Sequence, residues 1–251
     1  MRVPDAKADI YIIGLGIGGF EQRTVEVDQL LRDAEVVVHL TAFHNELVEI
    51  CSGQVINLSD LYFSNKSPDI VYQDIAEYII SISNNLSSLG NLCFLNYGHP
   101  AFLVDSTWII TENSKKNVKV IPAMSFLDRI FCDIPIRVDN GFSYFEAETL
   151  VNINPSFDIN YPLIISQVGE IGAEKIEPTT NSHNILKIIR DKLQEQYHIH
   201  NPKCHLVFSP YRKDMEPSVF SAYLSELDSL AKYLHNGCSI LVEGKVYGNT
   251  I

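Results

Sequence analysis

Residues 9–121 alternate between short apolar runs and stretches of helical spacing, and no other feature of the chain constrains its fold as tightly. Residues 9–14 (DIYIIG) are apolar, largely β-branched and ended by glycine, the pattern of a buried strand. Residues 24–33 (TVEVDQLLRD) read as a helix with Thr24 as its cap. Strands are expected again at 35–40, 54–58, 91–96 and 117–121, and helices at 69–86 and 104–114. Strands separated by helices pair in parallel, because each crossover returns the chain to the same end of the sheet, and the helices then cover both faces. Beyond residue 134 the pattern shifts. Strands at 142–146 and 161–168 dominate as far as residue 182, with Asn-Pro and Asp-Asn-Gly turns between them. A helix at 183–196, a strand at 204–209, a helix at 221–235 and a strand at 238–243 follow. The expected architecture is α/β with two domains: 1–135 around a mostly parallel sheet and 136–251 around a mixed one.

Composition excludes several function classes. The formal net charge is −12, and the densest basic pair is Lys115 and Lys116, which argues against a nucleic-acid partner because phosphate contacts need clustered cations. No apolar run approaches the roughly 18–20 residues that cross a bilayer. The opening stretch MRVPDAKADIYII lacks the apolar run and cleavage site of a secretion signal, so a cytoplasmic chain without a membrane partner is expected. Cys51, Cys93, Cys132, Cys204 and Cys238 are scattered and never form C-x-x-C, against both a disulfide framework and a zinc site. His198, His200, Cys204 and His205 lie close in sequence, but His-Ile-His-Asn-Pro reads as a loop, and no metal is expected there.

Gly14-Leu15-Gly16-Ile17-Gly18-Gly19 satisfies G-x-G-x-x-G directly after the first strand. In a dinucleotide fold the helix begins within the glycines, so that its amide end meets the pyrophosphate, and an acidic residue closes the second strand. Here Phe20-Glu21-Gln22-Arg23 intervene, and His39, Leu40 and Thr41 stand where the acid belongs, so a dinucleotide is not expected. Two readings of the loop stay open: a sharp turn that only glycine makes cheaply, or a close approach of a ligand to bare backbone. Asn96-Tyr97-Gly98-His99-Pro100-Ala101-Phe102-Leu103 follows the fourth strand and places backbone amides and carbonyls at the carboxyl edge of the sheet, where open α/β sheets bind ligands. This too could be a tight turn without a ligand.

Three stretches in order carry a family resemblance: Gly14–Gly18, then Tyr97-Gly98-His99-Pro100-Ala101-Phe102, then Ile121-Pro122-Ala123-Met124-Ser125. With Ala34-Glu35-Val36-Val37 leading into the second strand, they resemble the tetrapyrrole methylase superfamily, whose third turn usually reads Pro-Gly-Ile-Ser. Within it, Leu127–Ile134, Tyr144-Phe145-Glu146-Ala147-Glu148 and residues 164–169 (IISQVG) resemble the borosin-type peptide backbone N-methyltransferases. The resemblance implies S-adenosylmethionine as methyl donor, held in a cleft between two α/β domains, and a homodimer. By family position it implies cofactor contacts at Gly14, Gly16, Tyr97, His99, Pro100, Phe102, Val104, Ala123, Met124, Ser125 and Gln167.

A sulfonium methyl is already electrophilic, so no metal is needed and the enzyme's task is alignment. A backbone amide nitrogen is a poor nucleophile, because its lone pair is delocalised. It needs donors on its oxygen and a base near its N–H. The resemblance assigns that work to tyrosines and an arginine after the third strand. Tyr62 and Tyr72 match two of the tyrosines, whereas the arginine position falls on Pro68 and Lys66 is the nearby cation. The implied reaction is N-methylation of backbone amides in a precursor peptide. A separate peptide is expected, because no core segment follows Ile251. The alternatives are methylation of a small, tetrapyrrole-like molecule, disfavoured by the few basic residues near Tyr97 and Met124, or S-adenosylmethionine binding without turnover.

Overall fold

The computed structural model describes residues 7–87, 90–176, 184–212 and 214–245. The chain divides into two compact units. The first runs to Phe126 and adds Glu174–Ile176 and Tyr211–Asp214; the remaining residues form the second.

The first unit is built on β1 (Ile10–Gly14), β2 (Val36–His39), β3 (Gln54–Asn57), β4 (Leu92–Asn96) and β5 (Val118–Ile121), in the order β3-β2-β4-β1-β5. Every pairing is parallel, as the alternation predicted. Successive side chains of a strand point to opposite faces, and the core divides accordingly. On one face Tyr11, Ile13, Val37, Cys93 and Leu95 meet Val27 and Leu31 of α1 (Val25–Asp33) and Leu47 of α2 (His44–Ile50). On the other, Ile10, Ile12, Val38, Leu92 and Phe94 meet Val71, Ile75, Ala76 and Ile79 of α4 (Pro68–Ser83), which follows the short α3 (Ser59–Tyr62). α5 (Asp105–Asn113) adds Ile110 to this second face. Each such fully buried aliphatic side chain contributes about 1.5–3 kcal/mol by leaving water. Thr24 caps α1 as expected, its hydroxyl accepting from the Val27 amide at 3.2 Å.

Four short helices were not expected: α2, α3, α6 (Phe126–Asp133) and α7 (Ala147–Ile153). Segments of four to eight residues are too short for a 3.6-residue period to declare itself, so packing decides them.

The second unit holds a mixed sheet. It comprises β6 (Ser143–Glu146), β7 (Leu163–Ser166), β8 (Lys203–Phe208), β9 (Ser218–Tyr223) and β10 (Cys238–Val242), in the order β6-β7-β10-β8-β9. Only β6 and β7 are parallel. Ile185, Leu186, Ile189 and Leu193 of α8 (Ile185–Tyr197) cover it. The helix expected at 221–235 is corrected: residues up to Tyr223 belong to β9, and Leu224–Tyr233 form a 3-10 helix. The alternating exposure of Ser218–Tyr223 is that of an edge strand paired on β8, a period of two that the following leucines mask in sequence. The start of the helix expected at 183–196 and the last residues of the 134–182 stretch lie partly outside the described residues. Among the described residues no helix is long and apolar enough to cross a membrane, and no group of three metal-ligating side chains occurs.

Candidate active site

Gly14 and Asn96 end β1 and β4 side by side, and the chain continues from both into the turns that the sequence singles out. The Leu15 amide donates to the Asn96 carbonyl at 3.1 Å, and the Gly98 amide donates to the Gly16 carbonyl at 3.1 Å, so the two turns are bridged. A Cβ on Gly14 would stand 2.1 Å from the Gly98 carbonyl oxygen, 2.6 Å from the Ala123 Cβ and 2.9 Å from Pro100 Cδ. All three turns therefore abut at Gly14, and only glycine permits it. Gln22, in the 3-10 turn Phe20–Gln22 before α1, folds back onto the glycine run, its side-chain oxygen accepting from the Gly18 amide at 2.7 Å. Arg23 is tied to Asp28 at 2.7 Å.

The turn after β4 is different. With residues of α3, α4 and the start of α6 it walls a mostly apolar cavity of about 330 Å³. That size lies near the lower end of the ~300–1,000 Å³ usual for small-molecule sites. Tyr62, Tyr72, Tyr97, His99, Phe102, Val104 and Ser125, all expected site residues, line it. Ile17, Leu40, Ser59, Phe63, Asn96, Gly98, Leu103 and Phe126 complete the wall. Gly14, Gly16, Pro100, Ala123 and Met124 belong to the turns but are not among the lining residues. Gln167 lies in the second unit at the start of the 3-10 turn Val168–Glu170, donating to the Glu170 carboxylate at 3.4 Å.

Several details fix the wall. His99 Nδ1 accepts from the Ala101 amide at 3.2 Å, so the neutral ring carries its proton on Nε2. Thr107, fully buried on α5, donates its hydroxyl to the Pro100 carbonyl at 2.5 Å. Leu103 holds φ at +60°, a left-handed conformation costly for a side chain of its size. Gly98 also has φ +60° and is buried, and a Cβ there would meet nothing closer than Ile17 Cδ1 at 3.7 Å. The Tyr97 hydroxyl accepts from the Ala42 amide at 2.5 Å, and its ring lies 6.0 Å from both Phe43 and Tyr211. Desolvation raises the Tyr97 pKa, opposed by the Ala42 hydrogen bond.

Tyr62, which ends α3, and Tyr72, in the second turn of α4, stand with ring centroids 6.4 Å apart. Pro68 opens α4 at the position where a missing amide proton costs nothing. Lys66 is bound to Asp74 at 2.5 Å and is not among the lining residues. No lysine or arginine appears in the described wall. Asn96 and Leu103 bound the stretch that the sequence singles out, but motif position assigns neither of them a contact. Asn96 had one signal, a polar residue closing an otherwise apolar strand, whereas a left-handed leucine has none.

The chain thus combines an all-parallel five-stranded sheet, whose β1, β4 and β5 turns meet above its carboxyl edge, with a mixed five-stranded sheet. The sequence pattern of the tetrapyrrole (corrin/porphyrin) methylases matches residues 9–147, and the chain belongs to that family of methyltransferases. Among curated relatives, the uncharacterized protein YabN of Bacillus subtilis is 26% identical over 76% of this chain and 37% of its own length. The omphalotin A methyltransferase and precursor ophMA of Omphalotus olearius is 22% identical over 78% of this chain and 48% of its own. The chain thus spans half or less of the length of these relatives. The uroporphyrin-III-C-methyltransferase of Thermus thermophilus superposes with a TM-score of 0.68 at 16% identity, over 96% of each chain. Cobalt precorrin-4 methyltransferase superposes with a TM-score of 0.64 at 12% identity, over 93% of this chain and 94% of that one. At these identities the likeness establishes the fold.

Proposed function

We propose that the chain transfers a methyl group from S-adenosylmethionine to backbone amide nitrogens of a peptide. One observation carries the reading: Tyr62 and Tyr72, from two different helices, share a cation-free, largely apolar wall with the β4 turn. The wall suits the donor. Aromatic faces attract a sulfonium, whereas a lysine or arginine in the lining would repel it. When bound, S-adenosylmethionine supplies an electrophilic methyl and departs as a neutral thioether.

This chain's residues then have three tasks. The turn at 97–104, held by Thr107 and by the His99–Ala101 hydrogen bond, fixes the geometry on which in-line transfer depends. The phenols of Tyr62 and Tyr72 hydrogen-bond the acceptor amide, polarise it and pass its proton toward water. Phe63, Phe102 and Phe126 exclude bulk solvent, which strengthens those hydrogen bonds. The ophMA relative, whose name joins a methyltransferase to a ribosomal peptide precursor, supports the choice of acceptor. The absence of basic residues in the wall disfavours a polycarboxylate tetrapyrrole.

The test is mass spectrometry of synthetic peptides, one carrying the omphalotin A core, incubated with protein and donor. Gains of one CH2 per modified residue, located on backbone nitrogens, are expected. Tyr62→Phe and Tyr72→Phe should each slow transfer by about 100-fold. Methylation of a uroporphyrin-type acceptor with none of any peptide would overturn the choice of acceptor.

A further inference from the structure

Asn96 closes β4 and is only 4% exposed, yet its Nδ2 is fully buried without a hydrogen-bond partner among the described residues. A buried amide donor left unpaired costs stability, so its persistence calls for a use in another state. Four other buried side-chain atoms share this condition, on Ser64, Asn91, Ser106 and Tyr197, but none of those residues lines the cavity. Asn96 does. Alternation along β4 sends its side chain to the same face as Leu92 and Phe94, the face covered by α4 and Tyr62. Its backbone is anchored, with its carbonyl accepting from Leu15, so the side chain is carried by the sheet and not by a loop.

We infer that Asn96 is the neutral oxyanion donor of this active site, binding the carbonyl oxygen of the acceptor amide. The inference rests on the peptide reading above and fills a gap in it. Pro68 occupies the arginine position of the resembling enzymes, and Lys66 is committed to Asp74. In the transfer, the amide nitrogen loses its proton through the tyrosine hydroxyls to water and bonds the methyl carbon. The carbon–sulfur bond breaks with its electron pair going to sulfur. Negative charge that develops on the amide oxygen meets the Asn96 N–H once rotation about the side-chain bonds turns that donor from its buried position into the cavity. A neutral amide does this without the repulsion that a guanidinium would impose on a nearby sulfonium.

Asn96→Leu and Asn96→Asp test the inference against the wild-type protein on the same peptide. Asn96→Leu removes the orphan polar group at similar volume, so its melting temperature should hold or rise while kcat falls about 100-fold. Asn96→Asp should fall at least as far, because it sets a carboxylate against the oxyanion. Both should bind S-adenosylhomocysteine by calorimetry as the wild type does. In 15N spectra of the wild type, the Asn96 side-chain amide signal, assigned by its loss in the variants, should shift on adding peptide and not on adding S-adenosylhomocysteine alone. Variants as active as wild type, a lowered melting temperature in Asn96→Leu, or parallel loss of S-adenosylhomocysteine binding would each overturn the inference and leave the peptide reading standing. A wild-type protein that methylates no peptide overturns the peptide reading itself, and the inference with it.

Discussion

The turns after β1 and β4 both contain glycine, lie side by side and are bridged through Gly16 and Gly98, yet they have opposite characters. The first is closed on itself. Gly14 is plugged by the other two turns, and Gln22 occupies the Gly18 amide. The second is open and incompletely satisfied. Asn96 keeps an unused donor and Leu103 a left-handed backbone. The run that most resembles a ligand-binding fingerprint gives Ile17 to the cavity wall, whereas the quieter turn gives Asn96 to His99 and Phe102 to Val104. Of these two turns, the one that walls most of the cavity carries the unpaired side-chain donor and the left-handed leucine.

Substitutions break or sharpen this contrast. The largest expected effect is Gly14→Ala, whose methyl meets the Gly98 carbonyl at 2.1 Å. A backbone oxygen cannot swing aside, so denaturation with urea should show a loss of about 3 kcal/mol. Retention of full stability would show that the three turns are looser than they stand.

Next is acid sensitivity at the end of β2, on the face that also carries Leu15 and Phe20. His39 is fully buried, its ring stacked on His44 with Nε2 3.0 Å from the partner's Nδ1. Burial first, and the neighbouring His44 second, pull its pKa from 6.5 to about 4. The unfolded chain therefore binds a proton that the folded chain refuses between those two values. Stability is complete above pH 6.5 and declines as pH falls toward 4, by up to about 3 kcal/mol. Urea titrations at pH 7.5 and pH 5 measure this slope, which His39→Leu should flatten. S-adenosylhomocysteine affinity at pH 7.5 should be untouched.

Gly98→Ala is smaller in stability and larger in binding. Space exists for the methyl, but the left-handed backbone makes it cost about 1–2 kcal/mol. The methyl enters the cavity, so ligand affinity by calorimetry should fall about tenfold. The smallest effect belongs to Gln22→Ala, which frees one amide of the closed turn. A loss of about 1 kcal/mol with unchanged ligand affinity is expected. Equal binding losses in Gly98→Ala and Gln22→Ala would erase the distinction between the turns.

Much of this was legible beforehand in particular residues. Ile10, Ile12 and Ile13 could only be a buried strand, and Val71, Ile75 and Ile79 could only line one face of a helix, because those periods survive any tertiary context. Tyr62, Tyr72, Tyr97, His99, Phe102, Val104 and Ser125 were named as site residues on motif position, and they line one cavity. Gly14, Gly16, Pro100, Ala123 and Met124, assigned on the same ground, belong to the turns and are not among the residues that line this cavity. Motif spacing places residues in a turn but not on its inner or outer side. β9 was misread because Leu224, Leu227 and Leu230 continue an apolar pattern across the end of a strand.

By itself the sequence determined the parallel sheet, its helices, the order of the three turns and the family, since these follow from periodicity and from motifs fixed along the chain. Only the tertiary structure decided that Lys66 is spent on Asp74, that Gln22 closes the glycine run, that Leu103 is strained and that Asn96 is left with an unpaired donor. Those outcomes depend on which side chains residues distant in sequence bring within hydrogen-bonding reach, and no local pattern encodes that competition.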